Sequence, residues 1–241
     1  MIRVLIKIFS PDEAGENYNV MLKNYRKTDG LLAISLFIIQ LILFYITGLV
    51  LIHYNLYLGV PCTLIVIALM FVLIRTRKQS IKSVGITKTN LPGSSFIGFI
   101  LSIPFFILGV LPKLSALARP VLPVDIIYSV FFYFVVISFS EEVFFRGYIQ
   151  TRLHGLIKYK WPAIFAGGVM FSVMHVPFQA ALYYYQTGMP WSDWIEPSRL
   201  LVLVGMHVAL NLLYRKYNSL AGPVILHFFV NFTITPAVFF M

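Results

Sequence analysis

Apolar residues in this chain come in long, nearly continuous blocks, unlike the alternating patterns of soluble helices and strands. Each block is close to the length of about 20 residues that a helix needs to cross a bilayer. The blocks predict spans at 31–52, 57–74, 93–112, 124–145, 161–178, 199–214 and 220–240. The last block runs to Met241 without a polar cap, so we expect seven or eight spans. The predicted fold class is an all-α, polytopic transmembrane helical bundle.

The polar segments divide the chain into three parts. Residues 1–29 form an N-terminal cytoplasmic or interfacial segment, and residues 30–122 hold the first three transmembrane helices. Residues 123–241 form the core that carries the polar motifs described below. Ser10-Pro11-Asp12-Glu13 resembles a capping box with proline at the first helical position, which predicts a short interfacial helix. A solvated N-terminal arm is the alternative.

The charges indicate topology and exclude a nucleic-acid partner. The chain is 59% hydrophobic and 12% charged, a balance that a soluble domain cannot bury. Its net charge of +10 is unevenly placed: with a cytoplasmic N-terminus, only Lys113, Arg119 and Arg199 fall on the far side, against sixteen basic residues on the near side. This positive-inside asymmetry predicts an integral membrane protein with a cytoplasmic N-terminus. Cys62 is the single cysteine, so disulfides and zinc–thiolate sites are excluded.

Three polar motifs lie inside apolar spans, where a charged group costs roughly 2.5–3.5 kcal/mol and indicates a functional site. Counted from the basic end of each helix at 1.5 Å per residue, Glu141, His175 and His227 lie about 16 to 22 Å deep. Such similar depths on three separate helices predict one shared pocket on the cytoplasmic side of the midplane. The motif residues are Glu141, Glu142 and Arg146 on the fourth span, Phe171 and His175 on the fifth, and His227 and Asn231 on the seventh.

Spacing assigns different tasks to the two adjacent carboxylates. Glu142 and Arg146 are four residues apart in the favourable order for an ion pair, and this pair could also simply lock two helices together. Glu141 is rotated by about 100° from Glu142, so it can face a cavity and is our candidate reactive group. His207 and Asn211 repeat the same spacing on the sixth span, and spacing alone cannot demote them.

The chemistry of this residue set is that of a peptide hydrolase. A carboxylate in a low-dielectric pocket can deprotonate a water molecule, and imidazole and amide donors can stabilise an oxyanion. No serine or cysteine nucleophile is needed. The same groups, Glu141, His175 and His227, could instead hold zinc with an open position for water. The H-E-x-x-H signature is absent, so we favour no cofactor, with zinc as the alternative.

The three ordered motifs resemble the CPBP superfamily, also called the Abi family, over roughly residues 123–235. This group comprises type II CAAX prenyl endopeptidases and bacteriocin-processing and immunity proteins. The resemblance implies that Glu141 activates water and His175 assists in binding it. It implies that His227 and Asn231 stabilise the oxyanion, and that Glu142 and Arg146 support the site. The approach 217–223 also resembles the family's last motif, which demotes the His207–Asn211 pair to a structural role.

The function implied by the resemblance is an intramembrane endopeptidase near the cytoplasmic leaflet, processing the C-termini of prenylated CAAX proteins. Its partners would be lipidated protein or peptide C-termini and membrane lipids, and its cavity would open toward the cytoplasm and laterally toward lipid. It would lie in the plasma membrane of a prokaryote or the endoplasmic reticulum of a eukaryote. The alternatives are a bacteriocin-processing or immunity-type membrane protease and a non-catalytic scaffold of the same fold. A proton-coupled transporter is disfavoured, because paired broken helices are absent from the pattern.

Overall fold

The computed structural model describes residues 15–112, 123–188 and 196–234, which contain helices and no strand. The prediction of an all-α transmembrane bundle is therefore confirmed. The first half contains an interfacial helix α1 and three long helices α2 to α4, with a 3₁₀ turn between α3 and α4. Their bounds are Glu16–Leu22 for α1, Lys27–Tyr54 for α2, Gly59–Thr76 for α3, Ile81–Val84 for the 3₁₀ turn, and Leu91–Phe105 for α4, which a π-helical turn Phe106–Val110 extends.

The second half holds the helices that carry the polar motifs. Helix α5 begins with Pro123–Phe131, continues through the π-helical stretches Phe132–Phe139 and Glu142–Ile149, and ends with Gln150–Leu153. It is followed by α6 (Lys160–Met174), α7 (Val176–Thr187), α8 (Pro197–Tyr217) and α9 (Ala221–Ile234).

Six of the described helical segments are long and apolar enough to cross a membrane, and α9 is a shorter apolar helix. The predicted fifth span, 161–178, is interrupted at His175 and then continues as α7 to Thr187. Pro177 accounts for the break, because its ring clashes with the carbonyl four residues earlier and it cannot donate a backbone hydrogen bond. The capping box at 10–13 and the eighth span expected at the chain end lie outside the described residues.

Contacts between helix ends show that successive long helices alternate in direction. At one end Tyr18 packs against Tyr214 at 5.4 Å between ring centroids, and the Gly15 amide donates to the Arg215 carbonyl. At the opposite end the ring of Tyr57 packs against Phe178 at 5.9 Å. The connections 77–90, 154–159 and 218–220 lie at the first end, which we call the basic end. The connection 55–58 lies at the other end, which we call the far end.

Helices α4 and α9 approach closely through small residues. A Cβ atom added to Gly98 would lie 2.7 Å from the Cα of Gly222, so larger residues would push the two helices apart. Ser94 completes the contact, because its hydroxyl donates to the Ser219 carbonyl and accepts from the Gly222 amide at 2.9 Å. Small residues that allow such close backbone contact are typical of helix packing in lipid. This contact fixes the start of α9, the helix that carries His227.

Candidate active site

The charged residues of the first motif lie in or beside the widened turns of α5. Glu141 stands between two π-helical stretches, and π-helical turns occur frequently at functional sites. Glu142 and Arg146 form the expected ion pair, with 2.9 Å between Oε1 and Nη1, and neither side chain is exposed. The side chain of Glu141 is 20% exposed. The predicted division, with Glu142 occupied and Glu141 facing a cavity, agrees with this geometry.

His227 joins both carboxylates. Its Nδ1 lies 2.6 Å from Glu142 Oε1, and its Nε2 lies 3.7 Å from Glu141 Oε2. Because an ionised carboxylate can only accept, the Nδ1–H donates to Glu142, and Nε2 is left facing Glu141. The sequence analysis did not predict the Glu142–His227 bond. The similar depth of the two residues was the available signal.

His175 lies at the break between α6 and α7, and its ring is also fixed by one nitrogen. Nδ1 is 2.8 Å from the carbonyl oxygen of Phe171, which can only accept, so Nδ1 carries the proton. Its Nε2 is therefore a hydrogen-bond acceptor when the ring is neutral. His175 and Glu141, the two side chains predicted to handle the water molecule, line the same small cavity.

The ring of Phe171 is the centre around which the motifs pack. The Arg146 guanidinium carbon lies 4.1 Å from the ring centroid, a cation–π distance. The rings of His175 and His227 lie 5.1 and 6.1 Å from it. Fully buried Phe171 thus contacts residues from α5, the α6–α7 break and α9. The convergence of these helices, which the sequence predicts from depth alone, is present. Asn231 lies one turn beyond His227, half-buried.

Two cavities of about 120 Å³ each border Glu141. Both are also lined by Phe44, Tyr57 and Gly59. One continues between α2, α3 and α5, and the other continues past His175 to Phe178. Burial, followed by the negative charge of Glu141, raises the pKa of the Tyr57 hydroxyl, which therefore stays protonated beside the carboxylate.

The cavities do not run toward the basic end. On that side of Glu141, residues 142–153 of α5 are all buried, whereas Tyr57 and Gly59 belong to the far end. The sequence predicts a cytoplasmic basic end and a cavity that opens toward it. The described cavities lie toward the far end instead. The amphipathic pattern of residues 146–152 predicts that this segment emerges into the membrane interface, but the chain itself covers it. Arg152 is fully buried and donates to Ser83 and Gln79.

A second polar group extends from the ion pair toward the basic end. Gln150 lies one turn beyond Arg146, and its Oε1 accepts from His207 Nε2 at 2.9 Å. The ring of His207 lies 5.8 Å from that of Phe171, and Asn211 is fully buried one turn further along α8. The His207–Asn211 pair is thus behind the ion pair and not at Glu141, which agrees with the demotion of this pair.

Gly167 makes room for this second polar group and offers a steric test. A Cβ at position 167 would overlap Gln150 Oε1 and lie 2.8 Å from His207 Nε2. We expect Gly167→Ala to lower the unfolding free energy by about 1–3 kcal/mol, as overpacking does. Gly205→Ala is the matched control, since nothing lies within 4 Å of its added Cβ, and it should stabilise helix α8 slightly. Thermal unfolding in detergent compares the two; equal melting temperatures would contradict the packing described here.

Among the described residues, no three His, Cys, Asp or Glu side chains are grouped to hold a metal ion. Glu141, His175 and His227, the set named for a zinc alternative, therefore do not form such a group here. We derive no reaction step through a metal.

Comparison with known families agrees with the motifs. Residues 123–233 match the family model of the type II CAAX prenyl endopeptidases, Rce1-like. The chain carries an Rce1-like region. This match confirms the resemblance inferred from the motifs, over slightly less than half of the chain. No curated protein and no solved structure matches significantly. The Rce1-like region begins with α5 and ends within α9, so it contains every residue of the three motifs.

Proposed function

We propose that this integral membrane protein is an intramembrane endopeptidase in which Glu141 activates a water molecule. The observation that carries the proposal is the position of Glu141, which lines both cavities and points one carboxylate oxygen at His227 Nε2, 3.7 Å away. The Rce1-like region supports a peptidase in general. The specific reaction we propose is C-terminal processing of prenylated CAAX proteins.

Each nearby group has a definite task in this proposal. Glu141 takes one proton from the water as its oxygen attacks the carbonyl carbon, and His175 Nε2 accepts a hydrogen bond from the other proton. The Asn231 amide donates to the oxyanion that forms. His227 can donate from Nε2 only when it carries a second proton, because its Nδ1–H is directed to Glu142. Glu141, 3.7 Å from His227 Nε2, supplies that second proton from the water it deprotonated. His227 passes it to the leaving amine as the C–N bond breaks, and both side chains return to their starting states.

A fluorogenic prenylated CAAX peptide tests the reaction. Purified protein should release the C-terminal tripeptide, identified by mass spectrometry, and should leave the matched peptide without the prenyl group uncut. We propose a metal-free reaction, so a chelator should not reduce the rate. Loss of activity with chelator, restored by zinc, would replace this mechanism with a metal-dependent one. Absence of cleavage for both peptides would contradict CAAX processing.

The far-end position of the cavities favours a second candidate, the processing of a peptide at the opposite membrane face. CAAX processing acts on cytoplasmic proteins, whereas the positive-inside rule puts the basic end in the cytoplasm and the cavities toward the outer leaflet. A bacteriocin-type peptide being exported would reach Glu141 from that side. The two candidates therefore require opposite access to the same carboxylate.

Cysteine labelling in intact cells shows which membrane face the cavities adjoin and so tests the observation behind the second candidate. In a Cys62→Ser background, Asn55→Cys reports the far end and Lys158→Cys the basic end. We expect a membrane-impermeant maleimide to label position 55 and not position 158, because the basic end carries most of the charge. Permeabilised cells provide the control for reactivity at both positions. Labelling at 158 alone would invert the orientation and leave CAAX processing as the favoured reaction.

A further inference from the structure

A third cavity, of about 800 Å³, lies at the basic end and is separate from the candidate active site. It is formed by α1 and the turn after it, the start of α2, the segment from Thr76 to Ser83, and Asn218. None of these residues belongs to the three motifs. Its volume is within the range of roughly 300–1,000 Å³ that small-molecule sites occupy.

Asp29, the one carboxylate among the described residues that line this cavity, accepts hydrogen bonds through both of its oxygens. Asp29 Oδ1 accepts from Arg77 Nε and from Gln79 Nε2, each at 2.9 Å. Asp29 Oδ2 accepts from the Arg26 amide at 2.8 Å. Fully buried Arg152 donates a hydrogen bond to Gln79 Oε1 and so fixes the side chain of Gln79. In the described part of the lining, no negative charge is therefore left to neutralise the other cations.

The cations of the cavity outnumber that carboxylate. Among the described residues of the lining, Arg26, Arg77, Lys78 and Lys82 face one carboxylate, Asp29, an excess of three positive charges. The side chains of Lys78 and Lys82 are exposed and form no ion pair within the described part of the chain. Asn17 and Asn24 add neutral amide donors to the lining. Several donors and an excess of positive charge suit an anion with several oxygen atoms.

The depth of the cavity matches a lipid headgroup. It lies where α2 begins and α3 ends, so it is level with the membrane interface on the basic side. Val20 and Met21 contribute apolar surface beside the cations. Anionic lipids attract basic residues at such positions.

We propose that this cavity binds a phosphate group, and specifically the phosphodiester headgroup of an anionic phospholipid. The site is independent of the proposed peptidase activity. Lys78 and Lys82 provide the charge, while the Asp29–Arg77–Gln79 bonds keep the cavity open. The lipid would join α1 and the connection 77–90 to the membrane surface.

Native mass spectrometry of the full chain in neutral detergent tests the proposal with dioctanoyl phosphatidylglycerol as the probe. The wild type should bind one phosphatidylglycerol and discriminate against dioctanoyl phosphatidylcholine. Lys78→Asn with Lys82→Gln should weaken binding about 30-fold, from roughly fivefold per basic residue. Asparagine is chosen at 78 because the backbone there has φ 54°, a left-handed conformation that Asn tolerates.

The control double variant, Lys88→Gln with Lys158→Gln, removes the same charge from exposed residues outside the cavity and should bind like wild type. Equal weakening in both double variants, or equal binding of the two lipids, would overturn the site. Adding inorganic phosphate identifies the source. If phosphate at matched concentration leaves the lipid bound, the headgroup is the ligand. If phosphate displaces it, the lipid assignment fails and a free phosphate site is left.

Discussion

Glu141→Gln is expected to reduce cleavage of the prenylated reporter by about 10²–10⁴-fold while leaving the fold intact. Glutamine has the shape of glutamate but cannot take a proton from water. Its cost to stability should be small, because Glu141 Oε2 makes no hydrogen bond within the described structure. The measurement is the initial cleavage rate in detergent, together with the melting temperature of the same preparation.

Two other Glu→Gln variants make this result specific. Glu196→Gln changes an exposed carboxylate at the start of α8 and should leave rate and stability unchanged. Glu142→Gln should reduce both, because Glu142 is fully buried between Arg146 and His227. Activity of Glu141→Gln within tenfold of wild type would show that Glu141 is not the base. The scaffold alternative would then gain support if the wild type also failed to cleave other peptides.

The bundle itself could be predicted because lipid imposes a simple rule on sequence. A span must be apolar over its whole length and must satisfy its backbone internally, so its position is visible without tertiary information. The predicted positions of helix ends were less accurate than the predicted number of spans. The apolar run after Lys160 was predicted as one span although it contains Pro177, and the helix is interrupted at His175. A break inside an apolar run leaves the hydropathy pattern unchanged.

The candidate site was predictable for the same reason, and its details were not. Charged groups inside apolar runs are few, so their depths alone brought Glu141, His175 and His227 together. The Glu142–His227 bond and the position of Phe171 depend on how helices rotate against one another, which spacing within one helix does not determine. The direction in which the cavities run depends on where α2, α3 and α5 diverge. No local pattern encodes that divergence.

The sequence pattern predicts that Arg152 lies at the membrane interface, whereas the structure buries it inside the protein. An amphipathic helix end with basic residues normally indicates the membrane interface, where water and headgroups satisfy the polar groups. Here the chain supplies those partners itself: the Ser83 carbonyl lies 3.1 Å from Arg152 Nη1, and the Tyr25 ring lies 4.6 Å from the guanidinium carbon. The helix end that carries Arg152 is polar, as its sequence indicates, but protein groups and not water or lipid headgroups surround it.

Arg146→Met is expected to lower the free energy of unfolding by about 3–5 kcal/mol, the effect of removing one partner from a buried ion pair. Methionine fills similar volume against Phe171, but it leaves the charge of Glu142, which is not exposed at all, with the hydrogen bond from His227 and no cation of Arg146 beside it. Melting temperatures in detergent, with a denaturant series for the free energies, measure the loss. Lys158→Met, at an exposed position, is the control and should have little effect.

The double variant Glu142→Gln with Arg146→Met separates the cost of an unpaired charge from the loss of packing. Glutamine removes the charge, and its amide oxygen can still accept the Nδ1–H of His227. The double variant should therefore be more stable than Arg146→Met alone, since replacing both members of a buried pair costs less than breaking it. If its loss equals the sum of the two single losses, the charges are not coupled. Arg146 would then stabilise the site through the Phe171 ring rather than through Glu142.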